Sequence, residues 1–252
     1  MPARRATWNG SAKRPGDPLR RKTAEMGERR EVVYDDARRE TFRRLRARAQ
    51  EVLEALEAAG LDGMVFGSVA RGDVKPTSDV DIFIPQVASS MQVLLALDRF
   101  HILGTTITQA TPRALVKANV ELEDNTTVTF PLIPPREVEL EFYRFGGSIG
   151  IKGIREELRV PGVDKRLMLI EPTPEGHVET PLSDLAPGVV AKKIGVSQRI
   201  VEERMRVLER RADVGRTGVY LMRPVAPEES VERVLADLID EDPALRRRLD
   251  SR

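Results

Sequence analysis

One stretch, GSVARGDVKPTSDVDIFI from Gly67 to Ile84, constrains this chain more than any other. Met64-Val65-Phe66 is a short apolar run with strand character, and Gly67-Ser68 breaks it. Ser68 to Arg71 starts a short helix that Gly72-Asp73 ends, and Pro76-Thr77-Ser78 reads as a loop. Asp79-Val80-Asp81-Ile82-Phe83-Ile84 then reads as a second strand. Side chains alternate along a strand, so Asp79 and Asp81 project the same way, about 6.5–7 Å apart along the backbone. Val80, Ile82 and Ile84 face the core on the other side.

Two carboxylates on one strand face, beside a Gly-Ser turn, are suited to holding Mg²⁺ and a phosphate chain together. Mg²⁺ takes hard oxygen ligands and is usually held by one or two carboxylates plus substrate phosphates. The turn would aim backbone N–H groups, the Ser68 hydroxyl and Arg71 at those phosphates. The plain alternative is an acidic strand end beside an ordinary turn. Twelve positions separate Gly67 from Asp79. As a set, hydrophobic-Gly-Ser followed by Asp-hydrophobic-Asp resembles the signature of the DNA polymerase beta-like nucleotidyltransferase superfamily. The SVARG and SDVDIF forms are similar to those of small bacterial and archaeal members.

The resemblance implies Gly67, Ser68 and Arg71 as the nucleotide and phosphate site, and Asp79 and Asp81 as catalytic metal ligands. It also implies a third carboxylate on a later strand. Glu137-Val138-Glu139-Leu140-Glu141-Phe142-Tyr143 alternates as a strand would, with Val138, Leu140 and Phe142 toward the core. Glu141 fits the hydrophobic-acid-hydrophobic triplet best, with Glu139 the second choice. Glutamate departs from the commoner aspartate there, and an exposed charged edge strand is the alternative. With the triad intact, two Mg²⁺ ions would serve transfer of an NMP from an NTP, ATP being the first choice, to an acceptor hydroxyl with release of pyrophosphate.

Composition sets outer limits. The 252 residues are 40% hydrophobic and 32% charged, with a net charge of +1, and no apolar run approaches the ~18 residues of a membrane span. No cysteine is present, which excludes disulfides, zinc fingers and thiol nucleophiles and fits a cytoplasmic setting. His101 and His177 are the only histidines, and each reads as a surface residue. Residues 1–30 hold nine Lys/Arg and three Asp/Glu without apolar periodicity. They read as a disordered basic arm able to touch nucleic acid through phosphates, against a tail without a role or a start at Met26.

From Val32 to Ala59, Phe42, Leu45, Ala49, Val52, Leu53 and Leu56 recur at helical intervals. A helix is expected through Ser89–Phe100. A hairpin is expected from Ala114–Leu122 and Thr126–Phe130, turning at Glu123-Asp124-Asn125. Residues 146–166 are Gly-rich and basic, a connector or substrate-facing loop, and short strands are expected at Leu167–Ile170 and Gly176–Thr180.

In Pro187–Arg211 the spacing of Ala191, Gly195 and Val201 matches a helix-turn-helix, with Ser197 as N-cap of the second helix. Gly215–Met222 would form a wing. The segment resembles DNA-binding winged helices, which makes Gln198, Arg199, Glu202 and Arg206 the candidate reading face for DNA or RNA. A helical hairpin without nucleic-acid duty is the alternative, since the face is of mixed sign.

The expected architecture is thus α/β (α+β): a nucleotidyltransferase-type mixed sheet flanked by helices, followed by a small winged-helix-like module. The divisions are a basic arm (1–30), a nucleotidyltransferase domain (31–150), a connector with short strands (151–185), the helix-turn-helix-like module (186–225) and C-terminal helices (226–252). Archaeal CCA-adding enzymes share a comparable core, but this chain lacks the length for their tRNA-binding domains. The rival to an Mg-dependent transferase is a nucleic-acid-binding regulator, antitoxin-like, whose transferase domain senses nucleotide or is inactive.

Overall fold

The computed structural model describes residues 28–215 and 218–250, so the basic arm lies outside the described residues except for its last three. β1 (Arg30–Val33) precedes α1 (Asp36–Ala58). The helix expected from Val32 begins later because the Asp35 carboxylate accepts from Arg38 N–H and fixes the start there. β2 (Met64–Phe66), α2 (Ser68–Arg71) and β3 (Val80–Phe83) follow the predicted strand–turn–strand. α3 is Ser90–Ala96. The expected hairpin forms from β5 (Val116–Leu122) and β6 (Thr126–Pro131), with Leu122 opposite Thr126. Asp124 and Asn125 both take positive φ in the three-residue connection, where Thr126 N–H donates back to Glu123 O. β4 (Ile102–Gln109) was not anticipated and pairs with β5.

The predicted strand at Glu137–Tyr143 is instead a helix, α4 (Glu137–Phe145). Pro134 and Pro135 cannot donate to a ladder. The Glu139 carboxylate then accepts from Arg136 N–H at 2.8 Å, a side-chain cap that starts a helix. Alternating Glu and apolar residues satisfy a short helix as well as a strand, and the cap decides.

β7 (Ser148–Gly150), α5 (Ile151–Arg155), β8 (Gly162–Val163), β9 (Met168–Thr173) and β10 (Gly176–Pro181) follow. Two sheets result. The larger has seven strands in the order β11-β4-β5-β6-β3-β2-β7, where β11 is Leu221–Val225, and only β3–β6 is parallel. The smaller is antiparallel, β1-β10-β9-β8. Strands far apart in the chain therefore share sheets, β1 with β10 and β4 with β11.

α6 (Pro187–Ile194) and α7 (Gln198–Val214) form the expected hairpin, with Gly195 left-handed at the turn and Ser197 Oγ accepting from Ile200 N–H. No wing follows among the described residues. β11 joins β4 instead, because Leu221 and Val225 find apolar cover on the main core. α8 (Val231–Glu241) and α9 (Pro243–Asp250) close the chain.

The main core sets Leu45, Ala49, Val52, Leu53 and Leu56 of α1 against Val65, Val80 and Ile82 of the sheet. A second cluster joins Phe145 of α4, Val163, Leu167 and Leu169 of the small sheet, and Val190, Val201 and Leu208 of the helical hairpin. α4 lies between the two, so the helical hairpin is bound into the fold through it. Among the described residues no helix is long and apolar enough to cross a membrane.

The small sheet depends on close backbone approach at Gly176, opposite Val33. A Cβ there would lie 1.8 Å from the Val32 carbonyl oxygen. Gly176→Ala is expected to destabilise the protein by about 1–3 kcal/mol, as overpacking does, read as a lower midpoint in urea denaturation.

Candidate active site

Phe66 pairs with Asp81 in the β2–β3 ladder, so the Gly67-Ser68 turn emerges directly beside the acidic strand end. Gly67 takes φ 80°, a conformation that glycine adopts without steric cost. A Cβ there would meet no protein atom within 4 Å, so backbone conformation, not crowding, dictates the glycine. Gly67 N–H donates to Gly147 O at 2.9 Å, tying the turn to the strand on its far side. Ser78 Oγ accepts from Lys75 N–H at 2.9 Å and lies 3.4 Å from Ser68 Oγ, which folds the Lys75–Ser78 loop onto the turn.

Gly67, Ser68, Asp79 and Asp81 all line one cleft of about 510 Å³. Its opposite side is built by Lys165 and Arg166 between β8 and β9, Arg30 of β1, Glu179 of β10, and Phe142, Phe145 and Arg204 of α4 and α7. The Arg204 guanidinium lies 4.8 Å from the centre of the Phe142 ring. Burial pushes the Asp81 carboxyl up, and the adjacent Asp79 charge adds to this, while Lys165 and Lys117 pull it the other way. Two carboxylates that repel each other in a partly desolvated cleft suit a divalent cation, which would relieve that repulsion. Asp79 and Asp81 would hold it.

The third carboxylate is elsewhere. Glu141 is buried on α4, where its oxygens accept from Ser197 N–H at 2.6 Å and Ser197 Oγ at 2.7 Å. It caps α7 and does not line the cleft. Glu139 accepts from Arg136 N–H and from Arg248 at 2.8 Å. The strand residue opposite Asp81 on β6 is Thr127. Among the described residues no group of three or more His, Asp or Glu is placed to hold a metal ion. The expected geometry failed because helix α4 turns the two glutamates toward other partners.

Arg71 lines the cleft, but its guanidinium is engaged. Nε and Nη2 donate to the two Asp73 oxygens at 2.9 Å, and Nη1 donates to Gly146 O. Its place is that of a latch on the turn, not of a phosphate ligand. Gln198, Arg199 and Arg206 are exposed on α7 and outside the cleft. Gln198 donates to Glu202 at 2.7 Å, so part of the candidate reading face is paired within its own helix.

His101 is exposed as expected, but His177 is 1% exposed. Its Nδ1 lies 2.7 Å from the Tyr34 hydroxyl and its Nε2 3.2 Å from Glu179. The basic, Gly-rich stretch at 146–166, expected to be a connector or a substrate-facing loop, ends in Lys165 and Arg166 on the far wall of the cleft, whereas Arg30, Glu179 and Arg204 there carried no signal in the sequence.

The nucleotidyltransferase-domain family model matches residues 45–105. The match spans Gly67, Ser68, Asp79 and Asp81 and stops within β4. Such a domain implies a transferase acting on an NTP. No curated protein and no solved structure matches the chain. The match does not reach α4, the small sheet or the helical hairpin, so the far wall of the cleft is built by residues outside it, Lys165, Arg166 and Arg204 among them.

Two outcomes follow from this geometry. Glu141→Ala strips both Ser197 donors of their acceptor and is expected to cost about 1–3 kcal/mol of stability while leaving Mg²⁺-dependent nucleotide affinity unchanged. A lost metal dependence, measured by titration calorimetry, would return Glu141 to the metal site. Folded Asp81 holds its proton more tightly than the unfolded chain does, so its ionisation weighs against the fold as pH rises through the carboxylate range toward the raised value. Asp81→Asn should therefore stabilise the protein at neutral pH by about 0.5–2 kcal/mol, as relief of a strained functional site does. The gain, read by thermal melts, should shrink below about pH 4.

Proposed function

We propose that the chain transfers a nucleoside monophosphate from an NTP, ATP being the first choice, to an acceptor hydroxyl. The observation that carries this reading is the meeting of the Gly67-Ser68 turn with Asp79 and Asp81 in one cleft, inside the matched segment. In the reaction the acceptor oxygen bonds to the α-phosphorus and loses its proton to solvent. The bond from that phosphorus to the bridging oxygen breaks, and pyrophosphate leaves. Asp79 and Asp81 would hold Mg²⁺, which would supply charge neutralisation on the phosphates. The Gly67-Ser68 turn orients the triphosphate through its backbone and hydroxyl. The Lys75–Ser78 loop closes one side, and the apolar faces of Phe142 and Phe145 exclude water on the other. With Glu139 and Glu141 held by other partners, the reading rests on the two aspartates alone.

A second reading is favoured by one observation. Thr127, not a carboxylate, stands opposite Asp81 on β6, which suits a nucleotide-sensing protein that binds an NTP without turning it over. Incubation with α-labelled NTPs, Mg²⁺ and pooled RNA, DNA, protein and metabolite acceptors separates the two. Transfer should place label in one pool, with Asp79→Ala lowering it roughly 10²–10³-fold, the scale of losing one preorganised electrostatic group. Measurable NTP binding with no label in any pool would favour the sensor.

A further inference from the structure

The small sheet carries a device that the transfer reaction as described leaves unused. Glu179 is 4% exposed, yet both of its oxygens are hydrogen-bonded toward the cleft. Arg166 Nη2 donates to one at 2.7 Å and Arg30 Nε to the other at 2.6 Å. Behind it stand His177 Nε2 and, through His177 Nδ1, the Tyr34 hydroxyl. With Tyr34 O–H donating to Nδ1, Nε2–H donates to Glu179 and the relay is fully satisfied. Burial raises the Tyr34 pKa, which keeps that proton in place. Burial would push the Glu179 carboxyl up, but hydrogen bonds from His177, Arg166 and Arg30 outweigh it and hold the group well below its usual range.

Burying an ionised carboxylate is costly unless it is fully partnered. Here its partners are two guanidinium groups at a cleft wall; Arg166 is held through all three nitrogens by Asp164 and Glu179, and Arg30 through its Nε alone. The terminal nitrogens of Arg30 make no hydrogen bond or ion pair among the described residues, and neither does Lys165. Lys165 is close enough to Asp81 to act on its charge. A guanidinium with open donors and an ammonium lining the same cleft suit the oxygens of a phosphate group.

We propose that Arg30 and Lys165 form a phosphate subsite on the cleft wall facing Asp79 and Asp81, with Arg166, Tyr34, His177 and Glu179 as its positioning residues. The phosphate belongs either to the NTP tail or to the acceptor. That choice rests on the transfer reading, whereas the subsite itself does not.

Calorimetric titration of the full chain with tripolyphosphate and with Mg-ATP tests it. Lys165→Gln and Arg30→Gln should each raise the tripolyphosphate Kd about tenfold, the scale of one charge-assisted hydrogen bond. Lys152→Gln, on the exposed face of α5, should match wild type. An equal loss for Mg-ATP assigns the phosphate to the NTP tail. An unchanged Mg-ATP Kd assigns it to the acceptor. Glu179→Gln separates positioning from charge: loss of positioning weakens tripolyphosphate binding, whereas removal of a merely neutralising charge would tighten it. Wild-type protein that binds tripolyphosphate but not Mg-ATP sinks the transfer reading and leaves the subsite standing. Tripolyphosphate binding that is absent in wild type, or unchanged in both cation variants, overturns the subsite.

Discussion

Two buried arginines hold the turn on which the cleft depends. Arg46, from α1, donates to the carbonyl oxygens of Val69, Ala70 and Leu158 at 2.7–3.0 Å. It thereby satisfies the end of α2, which is too short to satisfy its own carbonyls. Burial, with the nearby Arg159 charge, lowers its pKa to about 10, so it stays protonated at neutral pH. Arg71 anchors the other side through Asp73 and Gly146. Between them they tie α1, α2, the Gly146-Gly147 turn and the segment after α5 into one frame. Gly67 can hold its positive φ beside Asp81 because everything around it is fixed.

That frame brings together groups that would separate if free. Asp79 and Asp81 repel each other, and the cations facing them come from the other sheet. A cleft with a carboxylate pair on one wall and guanidinium groups on the other would suit a polyanion accompanied by a metal ion. The guanidinium groups are paired with Glu179 and Asp164, whereas Asp79 and Asp81 keep their mutual repulsion. Carboxylates perturbed in this way are common at functional sites.

α4 links the two halves. Tyr143 stacks on Phe83 of β3 with ring centres 3.6 Å apart and meets Phe66 edge-on, while Phe145 enters the second core cluster. Glu141 caps α7 from the same helix. One nine-residue helix therefore packs on the acidic strand, floors the cleft with Phe142 and Phe145, and fixes the helix that carries Arg204. The helix-turn-helix spacing of Ala191, Gly195 and Val201 is real as local geometry. Its role here is to close the cleft from behind.

The sequence by itself determined the local pieces whose physics is short-range. Gly-Ser after an apolar run set the turn, Asp-x-Asp set two carboxylates at the start of one strand, Asp124-Asn125 set the hairpin, and the period of Leu45 to Leu56 set α1. Each follows from backbone conformation or side-chain period within a few residues. Tertiary structure decided what depends on long-range partners. Glu139 and Glu141 read as strand carboxylates until Arg136, Arg248 and Ser197 gave them other work. His177 read as a surface residue until Tyr34 and Glu179, one of them 143 positions away, enclosed it. Lys165 and Arg30 joined one wall only because β1 and β10 pair across most of the chain. A pairing partner at such a distance leaves no periodic trace in sequence, because its energy comes from a surface that exists only once both segments are folded.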